Sequence, residues 1–146
     1  MDDVDQRLVA ALRLNGRATY AELARLVGLS GPAVHERVNK LESSGVIQGY
    51  HAAVAPAALG KTMSALIGVF ISDGGDDEAI AADLEAIPAV EDCWFVAGEE
   101  TFVVKVSIPD VARLEAVIRA LNAVPGIART RTTVVLSTKF EGRLRA

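Results

Sequence analysis

The sequence predicts an α+β fold in two parts, an N-terminal helix-turn-helix head and a C-terminal βαββαβ unit of ferredoxin-like pattern. Three observations predict it. Residues 19–41, TYAELARLVGLSGPAVHERVNKL, carry two helix starts separated by Gly28. Beyond residue 62, apolar runs alternate with helical periodicity in the order strand, helix, strand, strand, helix, strand, the split βαβ arrangement. Hydrophobic residues make up 51% of the chain, which supports a real core and excludes a disordered chain.

In the head, Val4, Leu8, Ala11 and Leu12 recur at helical spacing, so a first helix is predicted, capped by Asp2 or Asp3 and stopped by Gly16. Thr19 and Glu22 have capping-box spacing: the hydroxyl accepts one orphan N–H and the carboxylate reaches back to another. Leu23, Leu26 and Val27 form the inward face of the second helix, and Gly28 supplies its left-handed stop. Ser30 caps the third helix, with Pro32 in the first turn, where a missing N–H costs little. Val34, Val38 and Leu41, at i, i+4 and i+7, face inward. At about 100° per residue, Pro32, Glu36, Asn39 and Lys40 then point outward, with Ala33, His35 and Arg37 on the flanks. The bland alternative is the solvated face of an ordinary helical hairpin. As a DNA reader, Asn can pair bidentately with adenine, Glu can accept from cytosine N4, and Lys and Arg suit phosphate or guanine. Arg37, Lys40 and the Ser30 cap are therefore expected at phosphates, and Asn39, Glu36 and His35 at base edges. Gly45 ends the helix, and residues 46–51 start an extended segment, a small wing or a strand leaving the head.

Residues 51–62 carry Pro56 and Gly60 with few charges, and mark a linker between a domain of residues 1–50 and one of residues 63–146. Residues 64–72, SALIGVFIS, are a strand apolar on both faces. Asp76, Asp77 and Glu78 have a metal-like look, but they precede Ile80, Leu84 and Ile87 at helical spacing, so they are a helix N-terminus that favours acidic side chains. Pro88 ends that helix. Residues 90–97 form a second strand, with Cys93 expected to be buried and inert, and with one of Trp94 and Phe95 entering the core and the other an interface. Gly98, Glu99 and Glu100 turn the chain into a hairpin partner, residues 101–108. Pro109 and Asp110 open a helix through Leu121, whose inward residues are Val111, Leu114, Val117, Ile118 and Leu121. Pro125 and Gly126 break it before a last strand, residues 127–138, and a polar, mobile tail, residues 139–146. Arg129 and Arg131 alternate with Thr130 and Thr132 and are expected at an exposed strand edge or in an inter-subunit ion pair. Two helices cover one sheet face. The other face, with a strand apolar on both sides, is uncomfortable in water and predicts dimerisation.

Net charge is −4, which argues against non-specific coating of nucleic acid. Residues 1–50 are neutral overall, so residues 51–146 carry all of it. A DNA-binding head of that kind needs a dimer or larger assembly to add up phosphate contacts. Apolar runs are broken well before about 18 residues, the minimum for a membrane span. The acidic start MDDVDQ lacks the pattern of a signal peptide. A cytoplasmic protein with no membrane partner is expected. No HxxxH, CxxC, GxSxG or Walker-type pattern occurs, and no catalytic residue, metal ligand or cofactor is predicted.

These residues resemble the Lrp/AsnC (feast/famine) family of transcription regulators along nearly the whole chain. The resemblance is carried by Asp5, Gln6 and Leu8; by Asn15, Gly16 and Arg17; by Glu22, Leu23 and Ala24; and by the ordered run from Gly28 through Ser30, Val34, Arg37, Val38, Leu41, Glu42, Gly45, Val46, Ile47 and Gly49 to Tyr50. In the second half it rests on Val96 to Glu100, Pro125 to Ile127, and Thr130 to Thr132. The resemblance implies a winged helix-turn-helix, a ligand-sensing domain, and homodimers that assemble to octamers. It implies a small effector, usually an amino acid, bound between sensing domains of neighbouring dimers at the turn after the second sensing strand. The family's usual turn is Gly-Asp-x-Asp; here it is Gly98, Glu99, Glu100 and Thr101, with a neutral hydroxyl at the second acidic place. Thr130 and Thr132 are implied at the same interface.

The leading expectation is a sequence-specific DNA-binding regulator whose grip or assembly responds to an amino acid. A dimer would set two reading helices in successive major grooves, roughly 34 Å apart. One alternative is an effector-blind architectural protein that wraps DNA. Another is an enzyme like the tetrapyrrole decarboxylases that resemble this family, although the only histidines, His35 and His51, lie in or beside the head.

Overall fold

The structure is a computed structural model and describes residues 1–142; residues 143–146, part of the expected polar tail, lie outside the described residues. Helix α1 (Asp3–Leu14) starts at Asp2, whose carboxylate accepts the Asp5 N–H at 2.8 Å while Asp5 reaches back to the Asp2 N–H. The C-cap is extended Asn15, so Gly16 belongs to the following turn and is not the stop. Helix α2 (Tyr20–Val27) has the expected Thr19–Glu22 capping box and ends in left-handed Gly28, φ 74°. Ser30 opens α3 (Gly31–Ser43). Leu8, Leu12, Leu23, Ala24, Val27, Val34 and Val38 bury one another between the three helices. Leu26, expected inward, is 47% exposed. The buried arc of α2 runs from Leu23 through Val27 to Ala24, and Leu26 falls outside it at about 100° per residue. After α3, Ile47 donates its N–H to the Leu41 carbonyl at 3.0 Å and packs on the head's core. Residues 46–51 form no strand: a ladder needs a partner for its N–H and C=O groups, and the segment turns back onto its own helix instead.

The linker residues hold a single 3-10 turn, Pro56–Leu59. The second half then builds β1 (Met63–Ile71), α4 (Asp77–Glu85), β2 (Val90–Phe95), β3 (Phe102–Ile108), α5 (Val111–Ala123) and β4 (Ile127–Val135). Asp76 caps α4, accepting from the N–H groups of Glu78 and Ala79 at 3.1 Å each, so the acidic run serves a helix start. The sheet order is β2-β3-β1-β4 with every neighbour antiparallel. Side chains alternate across a strand. Ala65, Ile67 and Val69 of β1 and Phe102, Val104, Val106 and Ile108 of β3 therefore share one face, which packs on Ile80 and Leu84 of α4 and Leu114, Val117 and Leu121 of α5.

The opposite face carries Leu66, Gly68 and Phe70 of β1, Val103 and Lys105 of β3, and Arg129 and Arg131 of β4. Neither α4 nor α5 packs on this face, and Leu66 is 40% exposed. Phe70 is shielded because the Arg129 guanidinium lies 3.5 Å over its ring, a cation–π contact.

Strand β2 corrects two expectations. It is an edge strand, and Cys93, expected buried, is exposed. Neither Trp94 nor Phe95 enters the core: they are 46% and 67% exposed, though Phe95 meets Phe102 edge-on at 5.5 Å. A strand with one neighbour has half the cover of a central one, and its sequence pattern does not reveal its place in the sheet.

The chain divides into two units, one built on Met1–Ala53 and one on Val54–Lys139, each with its own core. Among the described residues no helix is long and apolar enough to cross a membrane.

Candidate functional site

Helix α3 is held from behind and offers one row forward. Val34, Val38 and Leu41 are buried, while Pro32, His35, Glu36, Asn39 and Lys40 are exposed and Ala33 and Arg37 are intermediate. His35, on the flank by spacing, is exposed as well. Its ring meets the Tyr20 ring edge-on at 4.8 Å, and its Nε2 lies 3.5 Å from Asn39 Nδ2. The three expected base-edge residues, His35, Glu36 and Asn39, are therefore adjacent on one exposed surface, with Lys40 beside them. Ser30 is turned to its own helix, its Oγ accepting the Ala33 N–H at 3.4 Å.

Arg37, expected at a phosphate, points elsewhere. Its Nη1 donates to Asp2 Oδ2 and to Asp5 Oδ1, at 2.7 Å each. These bonds, the Asp2 one foremost, raise the guanidinium pKa above its usual value. The Asp2 carboxyl is held below its ordinary value, first by the Asp5 amide and then by Arg37. On the other side of the head, Tyr50 donates its hydroxyl to Glu42 Oε1 at 2.9 Å. Tyr50, Leu12, Gly16, Leu23 and Val38 line a shallow cavity of about 460 Å³.

In the second unit, residues 98–101 form the β2–β3 turn. It is pinned by the Thr101 N–H to the Val69 carbonyl at 2.9 Å and the Val96 N–H to the Thr101 carbonyl at 3.0 Å. Glu99 is 80% exposed. Glu100 is not a solvated turn residue: its side chain is 14% exposed, lies over Gly68 and pairs with Arg131. Arg131 also lies 3.6 Å from Glu99. Thr130 and Thr132 occupy the other side of the sheet. Thr130 Oγ1 accepts from Asn122 Nδ2 of α5 at 3.2 Å, and Thr132 pairs with buried Ile67. Alternation is the reason: of the three consecutive residues only Arg131 shares the face of Glu100. The structure therefore gathers Gly98, Glu99, Glu100 and Thr101 with Gly68 and Arg131, and separates the side chains of Thr130 and Thr132 from them.

Sequence reasoning missed Gly68, Tyr20, Asp2 and Asp5 as partners of these sites. A glycine inside an apolar strand is a readable sign of close approach. The Arg37 partners left no sign, being 32 and 35 residues distant.

Residues 1–42 match the AsnC-type helix-turn-helix domain and residues 64–144 the Lrp/AsnC ligand binding domain. Over 143 residues the chain is 41% identical to the HTH-type transcriptional regulator LrpA of Mycobacterium tuberculosis, covering 98% of this chain and 95% of that protein. It is similar to the solved structure of the feast or famine regulatory protein of Mycobacterium tuberculosis complexed with L-methionine, with TM-score 0.92, 40% identity and 99% and 97% of the two chains covered. It is also similar to a transcriptional regulator of Neisseria meningitidis in complex with L-methionine, with TM-score 0.90, 26% identity and 100% and 96% covered. The relatives are transcriptional regulators and not enzymes, which sets the decarboxylase reading aside. With a helical head, a four-stranded antiparallel sheet and both domain matches in order, the chain belongs to the Lrp/AsnC family of transcriptional regulators.

Proposed function

We propose that this chain is a sequence-specific DNA-binding regulator whose grip on DNA, or whose assembly, responds to an amino acid. The observation that carries the reading is the forward row of α3. A capped helix backed by buried valines holds His35, Glu36, Asn39 and Lys40 on one exposed surface, in a domain matched to the AsnC-type helix-turn-helix. Asn39, Glu36 and His35 are the base-edge candidates and Lys40 a phosphate contact, with Ser30, Pro32 and Ala33 at the end of α3 nearest the backbone. The functional domains are residues 1–50 and 63–146 with the linker 51–62, and the protein acts in the cytoplasm, where its DNA lies.

The effector is held at Gly98, Glu99, Glu100 and Thr101, where turn amides and a carboxylate can take the two ends of a zwitterion. Two similar structures hold L-methionine, which makes an amino acid the first ligand to test. In a single chain this turn lies outside the cavity of about 520 Å³ between α4 and β2, lined by Asp77, Glu85, Val90, Cys93, Phe95 and Phe102 among others. That favours a site completed by a second copy. The open face around Leu66 is the dimer surface, and dimers assemble further to an octamer. Thr130 and Thr132 act there only from behind the sheet. An effector can work solely by binding one assembly more tightly than another.

A mobility-shift assay tests the readout: Asn39→Ala should relax sequence preference and Lys40→Ala should weaken binding uniformly. Unchanged affinity and preference in both variants would remove α3 from the interface. The effector-blind architectural reading is favoured by one observation, the engagement of Glu100 by Arg131. Calorimetry against the common amino acids, L-methionine first, separates the two readings, and light scattering of the same samples reads the assembly.

A further inference from the structure

We infer that Arg37 is a positioning residue for α3 and not a phosphate contact, and that with Asp2 and Asp5 it forms a clamp that sets how the base-edge row is presented. The inference rests on the reading of α3 as the DNA-reading helix and adds to it a residue that never touches DNA.

The geometry divides the work of two carboxylates. Asp2 uses Oδ1 to accept the Asp5 N–H at 2.8 Å and Oδ2 to accept from Arg37 at 2.7 Å. Asp5 uses Oδ2 to accept the Asp2 N–H at 3.3 Å and Oδ1 to accept from Arg37 at 2.7 Å. Arg37 thereby closes the capping box of α1 from outside, and one guanidinium ties the start of α1 to the middle of α3. The buried contacts of Val34, Val38 and Leu41 hold α3 against the core but are non-directional. Charge-assisted bonds to two fixed oxygens are directional, so they fix the rotation of α3 about its axis. Arg37 lies between Glu36 and Asn39 in the chain, and any rotation it prevents would move both. Both N–H groups of Nη1 are taken by the carboxylates, which leaves Nε and Nη2 for any other partner. The clamp residues Asp5 and Arg37 have 18% and 34% of their side chains exposed.

The test uses the full chain, the duplex that the unmodified protein enriches from a random-sequence library, and the unselected library as the non-specific probe. Arg37→Lys keeps the charge but replaces the planar guanidinium, whose Nη1 reaches both carboxylates, by an ammonium on a shorter, more flexible stem. Arg37→Lys, Arg37→Gln and Asp5→Asn should each lower the ratio of selected to unselected affinity by about threefold, the scale of a part-exposed ion pair, with the salt dependence unchanged. The double variant Asp5→Asn/Arg37→Gln should be no worse than either single. The clamp is overturned if Arg37→Gln lowers the slope of log affinity against log salt by about one while Arg37→Lys keeps the parent's affinity, as a phosphate contact would. It is equally overturned if Asp5→Asn tightens binding, or if variants shown by thermal melting to be folded keep the full ratio, which would leave Arg37 a stability role alone. A parent that enriches nothing, with Asn39→Ala and Lys40→Ala also silent, would overturn the reading of α3 itself.

Discussion

Tyr50 shows how a single side chain couples the end of the head to pH. Its ring packs 3.3 Å from where a Gly16 Cβ would stand, and its hydroxyl donates to Glu42. Burial, then the Glu42 carboxylate, push its pKa from 10.0 to about 12. A raised pKa in the folded state favours the neutral phenol, so the stabilisation is complete below 10.0 and is lost as pH rises toward about 12. Denaturant midpoints measured across that interval should fall for the parent chain and fall less for Tyr50→Phe, which has nothing to titrate. Gly68 is a second residue-scale case. A Cβ there would lie 2.5 Å from Glu100 Cγ, so Gly68→Ala must shift the Glu100 side chain. The expected loss is about 1–3 kcal/mol of stability in the second unit, the usual range for overpacking. Adding Glu100→Ala should return part of it. If the double variant is no more stable than Gly68→Ala alone, the close approach is not the cause.

At the scale of the element, each head helix is delimited by chemistry that acts within one turn. Ser30 accepts one of the orphan N–H groups of α3, and Ser30→Ala should cost about 1 kcal/mol. Amide exchange should report it first at the α3 start, before the core positions respond. The same locality explains which parts of the sequence could be read directly. The Thr19–Glu22 box, the Gly28 stop and the Val34, Val38, Leu41 stripe are all present as the spacing predicts. The β-branched pair Val46 and Ile47 predicts an extended segment, but both residues lie in a bend and Ile47 packs on the head's core, because a strand is a relation between two segments.

For the whole molecule, two separate cores predict two separable transitions. Leu8 and Leu84 are fully buried, one in each core. Replacing either by Ala should remove about 2–5 kcal/mol from its own unit. Scanning calorimetry should then show Leu8→Ala shifting one transition and Leu84→Ala the other. A single transition that both variants move together would mean the units unfold as one.

By itself the sequence determined the N-terminal caps of the helices, the buried stripe of α3 and the order of strands and helices in the second half, because these depend on signals a few residues apart; Leu26 and Val111, read as inward, are exposed. The family followed from the same local run. Tertiary structure alone decided that β2 lies at a sheet edge, and so that Cys93, Trp94 and Phe95 are exposed. It decided that Glu100 folds over Gly68 to meet Arg131 while Thr130 and Thr132 face the helices, and that Arg37 meets Asp2 and Asp5. The physical reason is common to all of these: charge pairing, face and cover are properties of segments brought together in space, and periodicity along one segment does not say which neighbour it will have.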